Sequence, residues 1–149
     1  MRGVVQRVKC ASVTVAGEEI GRVGKGFLVL LGVEEGDTLT DVEYIVDKIA
    51  GLRVFEDRER KMNLPLGEVG GGVLLVSQFT LLGDCRKGRR PSFTRSAPMD
   101  LAESLYLRVA EGLRGEGFFV ATGKFRAEME VSLVNEGPVT MLLDSRKVF

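Results

Sequence analysis

A chain of 149 residues with 44% hydrophobic side chains is long enough to bury one ordinary core, and a second domain is not expected. Its 21 basic and 21 acidic residues cancel, so no overall field draws the protein onto nucleic acid, and any RNA contact must come from a local patch. Histidine is absent, which removes the commonest general base and every Ser/His or Cys/His arrangement, and the two cysteines, Cys10 and Cys85, are too few for a zinc site or a disulfide framework.

In chain order, the first third alternates short β-forming runs with glycine: Gly3 to Lys9, Ser12 to Val15, Glu19 to Val23 and the apolar run Phe27 to Val33, a meander. Between Thr38 and Leu52, Val42, Ile45, Val46 and Ile49 recur at helical spacing, with Thr38 or Thr40 as N-cap and Gly51 near the end. Leu52 to Phe55 predicts a strand, Glu56 to Lys61 a charged turn, and Val73 to Leu82 a strongly apolar strand with Ser77, Gln78 and Thr80 within it. Gly83 to Ala97 is polar, basic and broken by Pro91, which predicts an exposed arm. A second helix follows, with Pro98 in its first turn, Ser96 as candidate cap, and Leu101, Leu105, Val109 and Leu113 as a buried stripe up to Gly115 or Gly117. Phe118 to Thr122, Glu128 to Val134 and Val139 to Leu143 predict the last strands. The expected class is therefore α+β, one domain over residues 1–149, with a mostly antiparallel, barrel-like β-sheet flanked by two helices.

No apolar run approaches the ~20 residues of a membrane span, and Met1 to Cys10 carries Arg2, Gln6, Arg7 and Lys9 with no signal-peptide core, so a cytoplasmic protein without membrane contact is expected. No His/Cys set defines a transition-metal site, and neither metal nor cofactor is expected.

Three segments stand out chemically. In Ser77-Gln78-Phe79-Thr80-Leu81, a polar run interrupts positions that the pattern assigns to the core; it either bonds neighbouring strands or marks a site. Asn135-Glu136-Gly137-Pro138-Val139-Thr140 lies between two predicted strands, where Gly-Pro means either a tight turn or a cis peptide that lets a ligand approach the backbone. Arg86-Lys87-Gly88-Arg89-Arg90, beside Phe93, is a phosphate-contacting patch or a solvated loop.

Together these segments resemble the D-aminoacyl-tRNA deacylase family. The resemblance covers nearly the whole chain, from Met1 through Arg7-Val8, Leu28 to Val33, Lys61-Met62-Asn63, Ser77 to Leu81, Gly88 to Phe93, and Thr122-Gly123 to Thr140; Ser77 to Leu81 and Asn135 to Thr140 resemble the two signature motifs in order and spacing. It implies a homodimeric hydrolase acting on the acceptor end of tRNA carrying a D-amino acid or glycine, including tRNA for alanine wrongly charged with glycine. It also implies a cis Gly137-Pro138 pair that enters the partner's pocket near Ser77, Gln78, Phe79 and Thr80 and excludes L side chains. Asn135, Phe125 and Met129 are implied pocket residues, and Arg86, Lys87, Arg89, Arg90 and Phe93 are the candidate tRNA contacts. Arg126 departs from the small residues that often follow the equivalent of Phe125 in the family. With no histidine, hydrolysis is expected to rest on main-chain donors near Phe79 and Thr80 and on the 2′-hydroxyl of the terminal adenosine. Alternatives are Thr80 as covalent nucleophile, which needs a base such as Lys61 or Lys124, and a non-catalytic RNA-binding or assembly module.

Overall fold

The computed structural model describes residues 1–149. Eight strands and two helices follow in the order β1 (Arg2–Val15), β2 (Glu18–Val23), β3 (Gly26–Gly32), α1 (Leu39–Gly51), β4 (Phe55–Glu56), β5 (Met62–Leu64), β6 (Gly72–Ser77), α2 (Met99–Gly115), β7 (Val120–Thr122) and β8 (Glu130–Asp144). The main sheet has the order β2-β1-β3-β6-β7, with β8 also paired to β1. It is mixed: β1 pairs antiparallel with β2, β3 and β8, whereas β3–β6 and β6–β7 are parallel. The parallel pairs follow from chain crossovers, with α1 between β3 and β6 and α2 between β6 and β7. The sheet curls into a barrel-like form, bringing its edges together; a Cβ added at Gly21 of β2 would lie 2.9 Å from the Thr122 carbonyl oxygen of β7.

Both faces of the central strands are apolar, which explains their unbroken hydrophobic runs. Phe27, Val29 and Leu31 of β3 and Val73 and Leu75 of β6 face the helices in a core of 23 buried residues, with Val42, Ile45 and Ile49 of α1 and Leu105, Val109 and Leu113 of α2. The alternate residues Leu28, Leu74 and Val76 pack inside the curl with Val8, Ala11, Val13 and Val23. Each such aliphatic side chain contributes about 1.5 to 3 kcal/mol by leaving water.

Thr38 caps α1 in a reciprocal box, accepting from the Thr40 N–H while Asp41 Oδ2 accepts from the Thr38 N–H at 2.7 Å. The two helices meet where Gly112 leaves room: a Cβ there would sit 2.8 Å from Val46 Cγ2.

Several predicted boundaries move. Gly3 to Lys9 and Ser12 to Val15 are one 14-residue strand, because β8 runs alongside both halves while β3 and β2 divide the opposite edge between them. The strand predicted at Leu52 to Phe55 is reduced to Phe55–Glu56, which pairs with β5 around the charged turn. Leu101 is 38% exposed, and the buried stripe of α2 instead includes Tyr106 and Ala110. Pro98, not Ser96, takes the N-cap position of α2; Ser96 is drawn into an isolated bridge with Glu34. No helix is long and apolar enough to cross a membrane.

Candidate functional site

β6 ends where its neighbour ends. The last register pair with β3 is Leu31–Ser77, and the Gln78 N–H donates to the Leu31 carbonyl at 2.8 Å before the chain turns into a short 3-10 helix, Phe79–Leu82. The polar run is thus not in the core, as the expected strand to Leu82 would have placed it: Ser77 and Gln78 are half-buried, and Phe79 and Thr80 are exposed. A strand persists only while an edge is available to pair with it, and β3 stops at Gly32. Leu82, 1% exposed, returns the turn to the core.

At this strand exit opens a cavity of about 700 Å³. Val76, Ser77, Gln78 and Phe79 line it from the strand exit; Phe93, Ala97, Met99 and Ala102 from the basic arm and the first turn of α2; and Phe125, Met129 and Val131 from the segment before and at the start of β8. Phe79 and Phe93 meet edge-on at 5.1 Å between centroids, and Phe125 lies 6.0 Å from the buried Tyr106 ring. Arg126 joins the lining with an exposed side chain and a left-handed backbone, φ +64°. The Gln78 carboxamide donates to the Thr80 hydroxyl, and Thr80 itself is outside the lining. The Leu81 N–H is used by the Gln78 carbonyl, whereas the N–H groups of Phe79 and Thr80, at the start of the turn, have no acceptor within it. Tyr106 donates to the Leu75 carbonyl at 2.8 Å, and burial pushes its hydroxyl up to about 12.

The second motif is built differently from the expected link between two strands. Asn135 to Thr140 lies inside the continuous strand β8, bulging out of register: Val8 faces Asn135 while Gln6 faces Thr140. Asn135 bridges the base of the bulge, accepting from the Val139 N–H at 2.8 Å and donating to the Val139 carbonyl at 3.2 Å. Its tip carries the exposed Gly137 and Pro138, joined by a cis peptide bond. Arg7, 5% exposed, supports the bulge by donating to the Glu136 carbonyl at 2.8 Å and to the Val54 carbonyl at 2.5 Å. In the sequence, only one signal marks Arg7 for this part: a cation on the inward phase of an alternating strand, in line with Gly3 and Val5.

Within the chain the two motifs stand apart. Asn135 and Gly137 line a separate depression of about 490 Å³ with Arg7, Lys9, Lys25 and Phe55, not the cavity of Ser77, Gln78 and Phe79.

The basic arm is pinned by paired backbone hydrogen bonds between Asp84 and Ser92. Arg86 is engaged: its Nε and Nη2 donate to the Asp84 carboxylate at 2.9 and 2.5 Å, and these hydrogen bonds hold that carboxyl well below the usual range. Lys87, Arg89 and Arg90 are exposed and have no carboxylate within 4.0 Å. No three His, Cys, Asp or Glu side chains converge where they could hold a metal ion.

A curled mixed sheet, a two-helix layer and an apolar cavity at a strand exit define a small α+β protein whose cavity is edged by a helical turn and a carboxamide. The sequence model described as D-Tyr-tRNA(Tyr) deacylase matches residues 4–144. A D-aminoacyl-tRNA deacylase of Desulfitobacterium hafniense is 60% identical over 149 residues, covering all of both chains. Among solved structures, the c-Myc DNA unwinding element binding protein superposes with a TM-score of 0.90 at 42% identity, covering 97% of this chain and 98% of that one. A probable eukaryotic D-amino acid tRNA deacylase shares the fold, with a TM-score of 0.78 at 21% identity over 95% and 97% of the two chains. This chain belongs to the D-Tyr-tRNA(Tyr) deacylase family and is, with it, a hydrolase.

Proposed function

We propose that the protein hydrolyses the ester between a D-amino acid and the terminal adenosine of tRNA, releasing free D-amino acid and tRNA in the cytoplasm, where aminoacyl-tRNA is made. The observation that carries this reading, beside the family, is the convergence of Ser77, Gln78, Phe79, Phe93, Phe125 and Met129 on one cavity. Its apolar walls suit an amino acid and a base, and its polar edge suits an ester.

An aminoacyl ester is already activated, so the protein needs to place water and stabilise the developing oxyanion. The free N–H groups of Phe79 and Thr80 serve as the donors, Gln78 orients the substrate, and the vicinal 2′-hydroxyl of the adenosine activates the water. The hydrogen-bond partner of Thr80 supports this division of labour: it is the Gln78 carboxamide, which is no base. Lys61, a candidate activator, is paired with Glu59 at 2.7 Å.

Chirality is read by a second copy of the chain. The Gly137-Pro138 tip is exposed, stands away from the cavity of its own protomer, and lies on the strand that also exposes Leu133, Val134 and Leu142. Inserted into a partner's cavity, main-chain carbonyls of the tip occupy the space an L side chain needs. Glycine has no side chain to exclude, so glycyl-tRNA, including tRNA for alanine charged with glycine, is also a substrate. Lys87, Arg89 and Arg90, with Phe93 beside them, contact the acceptor end; Arg86 braces the arm through Asp84.

The test is single-turnover deacylation of D- and L-tyrosyl-tRNA by the wild type and by Thr80→Ala. Loss of the D ester alone, retained in the alanine variant, is expected. Complete loss of activity in a folded, tRNA-binding Thr80→Ala protein selects the covalent route instead, and survival of both esters leaves a non-catalytic RNA-binding module. Subunit exchange is checked by mixing an impaired Gln78→Ala chain with an impaired Gly137→Ala chain, which restores one intact site, and with it activity above that of either variant alone, per mixed dimer.

A further inference from the structure

We propose that Arg2 is a positioning residue for this hydrolysis, holding the Phe79–Leu82 turn from the neighbouring strand; the inference rests on the reading of that turn as the source of the oxyanion donors. Arg2 opens β1 and pairs with Gly32 of β3 on one side and Asp144 of β8 on the other. From there its Nη1 donates to the Leu81 carbonyl oxygen at 3.3 Å, across 79 residues of sequence. Two further groups lie beside the guanidinium: Nε is 3.4 Å from Oδ2 of the fully buried Asp144 side chain, an ion pair without a hydrogen bond, and the guanidinium carbon sits 5.8 Å from the centroid of the exposed Phe149 ring. An ion pair and an aromatic face restrict the guanidinium, and its bond to the Leu81 carbonyl links the turn to the start of β1.

The other strand neighbour acts from beneath. A Cβ added at Gly32 would lie 3.0 Å from the Gln78 carbonyl oxygen and 3.3 Å from Leu81 Cβ, so the turn sits directly on the main chain at the end of β3. Leu82, in the core, is the third fastening. Arg2 is the one that grips a peptide group of the turn itself. Amide donors are effective only when held near the position the oxyanion will occupy, and displacement of a fraction of an ångström is costly. None of these contacts touches substrate, so Arg2 acts through the turn.

The experiment compares Arg2→Met, which keeps the aliphatic stem, with Arg2→Lys, which keeps the charge. It measures kcat and KM on D-tyrosyl-tRNA, peptide-resolved hydrogen exchange, and the urea midpoint. The expected result for Arg2→Met is a fall in kcat of about tenfold with KM within about twofold, and faster exchange confined to the segment spanning residues 78–83. Lysine should recover at least about a third of the lost rate by restoring a cationic donor. Unchanged exchange in that segment overturns the positioning role and leaves the amide-donor reading intact. A loosened segment with unchanged kcat instead sinks the amide-donor reading, and with it any catalytic consequence of Arg2. Faster exchange throughout the chain, in step with a lowered urea midpoint and without rescue by lysine, reduces Arg2 to a structural residue and overturns the proposal. Should Arg2→Met fail to fold, Arg2→Leu applies the same test by removing the same donor, with the same local exchange and kcat loss expected.

Discussion

Replacing Asn135 with alanine removes the side chain that closes the base of the β8 bulge. Two neutral hydrogen bonds are lost, from the Val139 N–H at 2.8 Å and to its carbonyl at 3.2 Å, and Val139 is only 5% exposed. Each bond contributes about 1 kcal/mol net, and a buried N–H left without a partner adds part of its desolvation cost, so the expected destabilisation is about 2 to 3 kcal/mol. For a chain of this size that is a fall in Tm of roughly 5 to 10 °C. The assay is urea unfolding at fixed protein concentration, since self-association would otherwise shift the midpoint. Asn135 also reaches the Thr140 hydroxyl at 3.4 Å, and that hydroxyl accepts from Gln6 Nε2 at 3.2 Å as well; Thr140→Val removes both exposed contacts, expected to cost less than about 1 kcal/mol together. Asn135→Asp retains an acceptor for the Val139 N–H but sets a carboxylate against the Val139 carbonyl, so it should fall between wild type and alanine. A loss below about 0.5 kcal/mol in Asn135→Ala would refute the view that this side chain substitutes for the missing ladder bonds of the bulge.

Three other outcomes are expected. Gly137 has φ +147°, and an added Cβ would meet Val139 Cγ2 at 2.6 Å and Val139 N at 2.8 Å; Gly137→Ala should therefore distort the tip and lower kcat/KM for D-tyrosyl-tRNA by at least about tenfold, read by steady-state kinetics. Tyr106 titrates near 10 when unfolded and about 12 when folded, so stability should be independent of this group below pH 10 and fall as pH rises towards 12, by on the order of 2 to 3 kcal/mol. Tyr106→Phe should abolish that alkaline slope in urea titrations while costing about 1 kcal/mol at neutral pH, because the Leu75 carbonyl keeps its bond from the Gly123 N–H. Replacing both Arg89 and Arg90 with glutamine should weaken tRNA binding and lower the log–log salt slope by about 1.5, whereas an Arg86→Gln change should leave the slope nearly unaltered.

Much of the architecture was legible without coordinates. Val42, Ile45, Val46 and Ile49 fall on one face at 3.6-residue spacing, and of the two candidate caps, Thr38 and Thr40, the structure selects Thr38, with Asp41 completing the box. The apolar runs of β3 and β6 mark them as strands, whose cover on both faces the structure shows, and the two signature motifs pointed to the family. These features depend on neighbours along the chain, where periodicity and capping act. Strand ends and partners depend on other elements: β6 stops at Ser77 because β3 runs out, β1 continues through Cys10 because β8 runs beside it, and Asn135 to Thr140 bulges within a strand instead of ending one. Likewise, only the assembled fold decides that Arg7 is buried beneath the bulge, that Arg86 is engaged by Asp84, and that Arg2 reaches Leu81. A residue type sets what a side chain is able to bond, but its partner is fixed by segments distant in sequence, and no local pattern records where those segments will lie.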